Sequence, residues 1–351
     1  MKNEYNTVLR TACDDNDKQA GLRIRCMNPY QSKDNSVNLN QKNDGRQTRR
    51  SFLTQAAASA AAIGVTGEHL QNQATGQDTE RDSDTRPVCI FAKQLQLMPW
   101  KEVAAFCRDI EVDGIEATIR RGGQVNPADA IEKLPELCET MSQTDSRVVI
   151  MTTDIVSPQS PNATAVLRTG ALCGVKYYRM AYYRYDMDKP ILPQLEGFAK
   201  QAQELAALNH DLGITGLYQN HAGNHYLGAP LWDLHQMLSE IPASDIGIAY
   251  DVRHATVEGN LSWPIDLAFI RDRIAAVYVK DYKAVNGKIQ NVPLGEGDVS
   301  DKLFKTLRQQ PPPGPVSLHM EYISHTDPSL LTASVDAYRR DRKVLKELLG
   351  V

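Results

Sequence analysis

Eight apolar runs of strand length, each followed by a segment of helical periodicity, leave this chain few folds to choose from. The runs are 88–92, 114–119, 147–152, 176–181, 214–219, 246–251, 275–280 and 316–321. Near-continuous apolar runs of that length suit strands buried on both faces. Between and after them, residues 100–110, 128–141, 162–172, 191–212, 231–241, 265–274, 301–309 and 330–349 carry apolar side chains at helical spacing. Pro99, Pro127, Pro230 and Pro264 stand at or just before first helical turns, where a missing N–H costs nothing. Eight alternations of this kind predict an α/β fold, a single (β/α)8 TIM barrel. A doubly wound sheet fits less well: no Gly-x-Gly-x-x-Gly follows the first strand, and no nucleotide cofactor is expected.

Polar clusters close the last four runs. They are Gln219-Asn220-His221, Asp251-Val252-Arg253-His254, Lys280-Asp281 and Glu321, spaced by roughly thirty to forty residues, one strand plus one helix. A barrel brings such strand ends to one mouth, so the clusters predict a shared site. Lys93, Glu116, Arg120 and Arg179 lie near the other strand ends as candidate substrate contacts. Each cluster also has a plain structural reading: His221 could orient a loop, Asp251 and His254 could hold a strand end, and Lys280-Asp281 could be an internal ion pair. Glu321 is hardest to read as passive, because a buried carboxylate needs a partner.

Residues 177–186 interleave tyrosines with Arg179 and Arg184. Aromatic faces pack on the C–H faces of sugars and arginines fork onto hydroxyls or carboxylates; a surface loop is the alternative. Gly295-Glu296-Gly297-Asp298 follows the seventh run, where many barrels cradle phosphate on backbone N–H groups. Two carboxylates among the glycines would repel a dianion, so an unphosphorylated sugar is expected, with a ligand-free tight turn as the equal alternative.

The order Asn-His, Asp-x-x-His, Lys-Asp and a terminal Glu resembles the xylose isomerase-like TIM barrel superfamily, from about Val88 to the C-terminus. The segments Tyr218-Gln219-Asn220-His221-Ala222-Gly223, Val279-Lys280-Asp281, Pro293-Leu294-Gly295-Glu296-Gly297 and His319-Met320-Glu321-Tyr322 look like its exported sugar phosphate isomerase/epimerase subgroup. The resemblance implies one divalent metal, Mn, Mg or Zn, held by residues at the positions of Gln219, Asp251, Tyr278 and Glu321. Two of these depart from the family's Glu and His. A neutral amide and a phenol are poorer ligands than a carboxylate and an imidazole, so His254 or His319 would have to complete the shell. The resemblance also implies two opposed carboxylate bases. Gln219 cannot take a proton, which leaves Glu321 as base and His221, His254 or Lys280 as the second proton carrier.

Apolar content of 42%, charged content of 23% and a net charge of -4 over 351 residues give no basic surplus for nucleic acid or anionic membrane, and neither is an expected partner. Arg49-Arg50-Ser51-Phe52-Leu53 leads into an alanine-rich run ending near Val65. That run is too short to span a bilayer as about 20 residues of helix and matches a twin-arginine signal, with an ordinary Ala-rich helix as the alternative. Residues 1–48, polar throughout, read as a disordered leader or as a start assigned too early, with Met27 as the true start. The expected organisation is therefore leader at 1–48, twin-arginine signal and linker at 49–85, and barrel at 86–351. The expected location is periplasmic or otherwise exported, with no stable membrane span after cleavage. Cys89, Cys107, Cys138 and Cys173 stand singly in apolar segments and read as buried thiols.

The expected function is an exported, carbohydrate-active isomerase-type enzyme that abstracts a proton beside a carbonyl of a small-molecule carbohydrate. A lyase on an oxidised sugar and a non-catalytic sugar-binding or accessory barrel are the alternatives. An endonuclease-like role is disfavoured by the lack of a basic groove and of further metal ligands.

Overall fold

The computed structural model describes residues 86–351; the segments expected to be a leader, a twin-arginine signal and a linker lie outside the described residues. The strands, in chain order, are β1 (Val88–Phe91), β2 (Gly114–Ile119), β3 (Arg147–Thr153), β4 (Tyr177–Arg179), β5 (Thr215–Gln219), β6 (Ile246–Asp251), β7 (Ile274–Val279), β8 (Asp281–Val285), β9 (Lys288–Val292) and β10 (Val316–Leu318). Eight of them close a parallel barrel in the order β1-β10-β7-β6-β5-β4-β3-β2, while β8 and β9 pair separately as an antiparallel hairpin. Every residue of β1, β2 and β6 is buried, as befits strands with side chains packed on both faces. The eight-stranded parallel barrel read from the sequence is the observed fold.

Around the barrel run α1 (Trp100–Asp109), α2 (Ala130–Ser142), α3 (Ala163–Leu172), α4 (Ile191–Leu212), α5 (Leu231–Met237), α6 (Val252–Gly259), α7 (Trp263–Ile270), α8 (Asp301–Gln309) and α9 (Leu331–Leu349). Each of the longer ones buries one stripe; α8, for instance, buries Leu303, Phe304 and Leu307. Truncating Leu307 to Ala should cost about 2–5 kcal/mol. Pro99 and Pro230 cap α1 and α5, Pro127 opens a short 3-10 turn before α2, and Pro264 sits in the first turn of α7. None of the described helices is long and apolar enough to cross a membrane.

Alternation along the strands decides what reaches the site. Tyr178 faces the helix layer, where its hydroxyl donates to Asn209 of α4 at 2.9 Å, and its neighbour Arg179 therefore points inward. Cys89, Leu217, Ala249, Ala276 and Tyr278 pack together inside the barrel. Two residues on from the last four of these, on the same inner face, come Gln219, Asp251, Tyr278 and Lys280.

Several boundaries differ from the sequence expectation. The runs at 176–181 and 316–321 keep only three strand residues each, the helix expected at 265–274 is α7 followed by a 3-10 turn at Arg271–Arg273, and α6 is added before it. The physical reason for α6 is local: Asp251 ends β6 and caps the next helix, its Oδ1 accepting the His254 N–H at 3.0 Å. The hairpin was not anticipated, because Lys283–Gln290 is exposed and lacks an apolar face. Its Asn286-Gly287 turn, with φ of 51° and 74°, carried the signal. The four cysteines among the described residues are free; Cys89 and Cys107 are buried, whereas Cys138 and Cys173 are half-buried.

Candidate functional site

Three residues from separate strand ends meet through one ammonium group. Lys280 Nζ donates to Glu321 Oε2 at 2.7 Å and lies 3.2 Å from Asp251 Oδ2. The same Asp251 oxygen accepts from Gln219 Nε2 at 2.7 Å, and Lys93 approaches Glu321 Oε1 at 3.4 Å. The Asp251 side chain is fully buried and Lys280 nearly so, while Glu321 keeps 18% of its side chain exposed and so remains reachable. Burial would push the Lys280 amine down, but Asp251 and Glu321 raise it above its ordinary range. Burial would likewise raise the Glu321 carboxyl, but Lys280, then His319 and Lys93, hold it well below the usual carboxylate range. The site therefore presents a fixed ammonium and an ionised carboxylate side by side.

Two imidazoles flank this pair. The rings of His221 and His254 lie 4.0 Å apart. Burial, with Lys280 adding to it, pushes His221 down to about 4 and His254 well below its ordinary value, so both are neutral near pH 7. His221 Nδ1 lies 2.8 Å from the Ala222 carbonyl. That carbonyl can only accept, so Nδ1 carries the proton and Nε2 keeps a lone pair. On His254, Arg253 donates to Nδ1 at 2.9 Å, leaving Nε2 buried without a hydrogen-bond partner, 3.7 Å from Asp251 Oδ2. Tyr182 and Tyr226 pack edge-on and tilted against His221 at 4.9 and 4.4 Å, an aromatic wall suited to a sugar face.

Beneath the mouth lies a closed polar layer. Glu116 is fully buried and accepts from Thr152 Oγ1 at 2.5 Å, Ser317 Oγ at 2.6 Å and His319 Nε2 at 2.9 Å. Burial opposes its charge, but His319, helped by Arg179 and Ser317, brings its carboxyl down to about 2. His319 stacks on Phe91 at 4.5 Å, and its Nδ1 lies 4.0 Å from Glu321 Oε2. His319 thus stands between the closed layer and the mouth.

Other expected site residues are taken up by the fold. Asn220 accepts from the Asp251 N–H at 2.7 Å and donates to the Asp251 carbonyl at 3.1 Å, tying β5 to β6. Asp281, beside Lys280 but turned the other way, accepts the N–H groups of Tyr282, Gly295, Gly297 and Val299 at 2.8–3.1 Å. The loop N–H groups that would cradle a phosphate are therefore occupied by the protein's own carboxylate. A Cβ at Gly297 would fall 2.2 Å from Asp281 Oδ1, so only glycine permits this approach. Of the expected substrate contacts, Lys93, Arg120 and Arg179 remain at the mouth.

The donor set does not fit a divalent metal. Gln219, Asp251 and Glu321 do converge, but the Lys280 ammonium already lies between the two carboxylates. Gln219 turns its NH2 toward Asp251 and gives its Oε1 to Arg179 and Tyr182 at 2.6 and 2.5 Å. Tyr278 lies fully buried beside His319 with its hydroxyl unbonded, its pKa raised by burial and by Glu116. His254 and His319, the possible extra ligands, give nitrogens to Arg253 and Glu116. Among the described residues no group of three or more His, Cys, Asp or Glu is arranged to hold a metal.

Tyr182, Arg253 and Asn291 are neighbours of the site that sequence reasoning did not single out. Tyr182 belonged to the aromatic run noted above; Asn291, which donates to the Glu321 carbonyl at 3.2 Å, arrives on the unforeseen hairpin.

An eight-stranded parallel barrel with its polar side chains gathered at the strand ends defines the class. Residues 104–348 match the model of the xylose isomerase-like TIM barrel family, and the chain belongs to that family. No curated protein matches the sequence. Among solved structures it is similar to a probable 3-DHS dehydratase, AsbF, from Bacillus anthracis, at 14% identity and a TM-score of 0.58, over 75% of this chain and 99% of that one. A D-psicose 3-epimerase from Clostridium cellulolyticum, solved with D-tagatose, aligns at 12% identity and 0.57, over 76% and 99%. The IolI protein with a bound zinc atom aligns at 14% and 0.59, over 75% and 98%. At these identities the likeness is one of fold.

Proposed function

We propose that this protein is a carbohydrate-active enzyme of isomerase type that removes a proton from carbon beside a carbonyl and uses Lys280 where relatives of this fold use a metal. The observation that carries the reading is the contact of the Lys280 ammonium with Glu321 at 2.7 Å in a mouth that leaves Glu321 partly open. Glu321 accepts the carbon-bound proton, and the electron pair of that C–H bond moves onto the carbonyl oxygen. The Lys280 ammonium stabilises the resulting oxyanion, a role fixed charges fill well because they need no reorganisation. His221 Nε2 takes the neighbouring hydroxyl proton and delivers it to the oxyanion, and Glu321 returns its proton to the former carbonyl carbon, completing a one-base aldose–ketose exchange with both groups restored. The solved relatives, named as an epimerase and a dehydratase, support carbonyl-adjacent proton chemistry. The occupied loop N–H groups support an unphosphorylated substrate. The twin-arginine pattern at 49–65 supports export, and a periplasmic setting.

The second reading is a sugar-binding barrel without turnover, favoured by the completeness of the Lys280–Asp251–Glu321 pairing. Incubating the protein in D2O with ketoses, aldoses and uronates separates the two. Deuterium entering beside the carbonyl, read by NMR and absent with Glu321→Gln, is the expected result. Binding without any exchange would reject the enzyme and leave the binding barrel.

A further inference from the structure

The cations of the mouth are not evenly paired. On the β5–β10 side, Lys280 has two carboxylates. On the β1–β4 side, Arg179 bonds directly to no carboxylate and meets the charges of Glu116 and Glu321 only at a distance: it is 7% exposed and donates, through Nη1 alone, to the neutral oxygens of Tyr182 at 2.7 Å and Gln219 at 2.6 Å. Its Nε is buried with no acceptor. A buried guanidinium with open donor positions is costly unless something anionic meets it. Nearby carboxylates are engaged elsewhere. Glu116 is used by Thr152, Ser317 and His319, and Asp154 Oδ2 accepts the Arg121 N–H at 3.1 Å. The Arg120 side chain, just past β2, makes no hydrogen bond or ion pair among the described residues, and burial together with the charge of Arg179 lowers its pKa against a weaker pull from Asp154. Like charges gathered in a half-buried pocket repel unless a ligand anion neutralises them.

Resting on the proton-transfer reading above, we infer that the substrate carries a carboxylate, bound by Arg179 and Arg120, and is a sugar acid of the uronate or keto-acid class. The guanidinium fork matches a carboxylate's two oxygens, and Arg179 still has Nε and Nη2 to offer. A phosphate dianion fits less well. It would sit close to Glu116 and Glu321, and the glycine loop after β7 has given its N–H groups to Asp281. The carboxylate end then lies toward β2 and β4, and the carbonyl end reaches Lys280, Glu321 and His221. The charge layout thus fixes the direction in which the substrate lies across the mouth.

The test is calorimetric titration of the full chain with D-galacturonate, D-galactose and D-galactose 6-phosphate, alongside NMR detection of deuterium uptake from D2O. Galacturonate should bind at least about tenfold more tightly than either analogue, and Arg120→Met should remove about tenfold of that preference. Arg179→Met should do the same; if that buried change prevents folding, the half-buried Arg120 variant still decides. Galactose or its phosphate binding as tightly as galacturonate would overturn the carboxylate inference and leave proton transfer standing. Arginine-dependent galacturonate binding with no deuterium uptake would uphold the carboxylate site and overturn proton transfer instead. Binding of none of the three would count against both.

Discussion

Glu116 and Glu321 are both carboxylates held ionised inside one barrel, yet one sits in a sealed layer and the other at an opening. Glu116 has no exposed surface and three donors of fixed geometry, from Thr152, Ser317 and His319. Glu321 is 18% exposed, and its charge is balanced by Lys280 and Lys93. Burial and a depressed pKa are common to both, so neither marks the reactive group. Access, and a neighbouring cation that can be shared with an oxyanion, does.

That contrast is sharpest in opposite mutational phenotypes. Replacing Glu321 by Gln should cut proton exchange by about 10^2 to 10^4-fold with little change in melting temperature; equal losses in both would erase the distinction. Glu116→Ala should do the reverse. It strands three donors and costs roughly 3–5 kcal/mol of folding stability, measurable by denaturant titration.

The acid response follows from the same layer. The Glu116 carboxyl is lowered from 4.5 to about 2, so the unfolded chain binds more protons between those values. The stability it contributes is fully present above pH 4.5, falls as pH drops toward 2, and amounts to roughly 3 kcal/mol. In the Glu116→Gln protein the unfolding free energy should lose that part of its slope below pH 4.5. At His221, lowered to about 4, the sign is similar. Between pH 6.5 and 4 the unfolded chain binds more protons, so stability declines with acid. The NMR titration of its ring should centre near 4, and a midpoint near 6.5 would place the imidazole in water instead. The smallest effect is expected at Asp281, where Asn keeps one acceptor oxygen. The cost is about 1–2 kcal/mol, seen as faster amide exchange at Gly295, Gly297 and Val299, with unchanged turnover.

Most of the barrel was legible because strand-length apolar runs and helical periodicity alternate without interruption. The mouth was legible only as a set of positions. Gln219, Asp251, Lys280 and Glu321 stood out because polar residues end apolar runs, but nothing in the spacing says that Lys280 turns inward between two carboxylates while Asp281 turns outward to bind four N–H groups. Asn220 and Glu116 look equally functional in sequence, and their roles as clamp and buried acceptor depend on partners up to 203 residues away. The β8–β9 hairpin escaped notice because its residues bury no alternating face, and with it went Asn291. Helix α6 was missed for a different reason: the Asp-x-x-His motif read as ligands is also a helix cap, and the structure uses it as one.

The proposed proton transfer turns on Lys280 serving where a metal would. The most direct measurement is the rate of deuterium uptake by the most readily exchanging sugar, before and after exhaustive chelation, with metal content determined on the same samples. The expected result is a chain without stoichiometric metal, an exchange rate unchanged by chelation, and loss of exchange in Lys280→Met. A rate that collapses on chelation and returns with added Mn2+, or one that survives Lys280→Met, would contradict it.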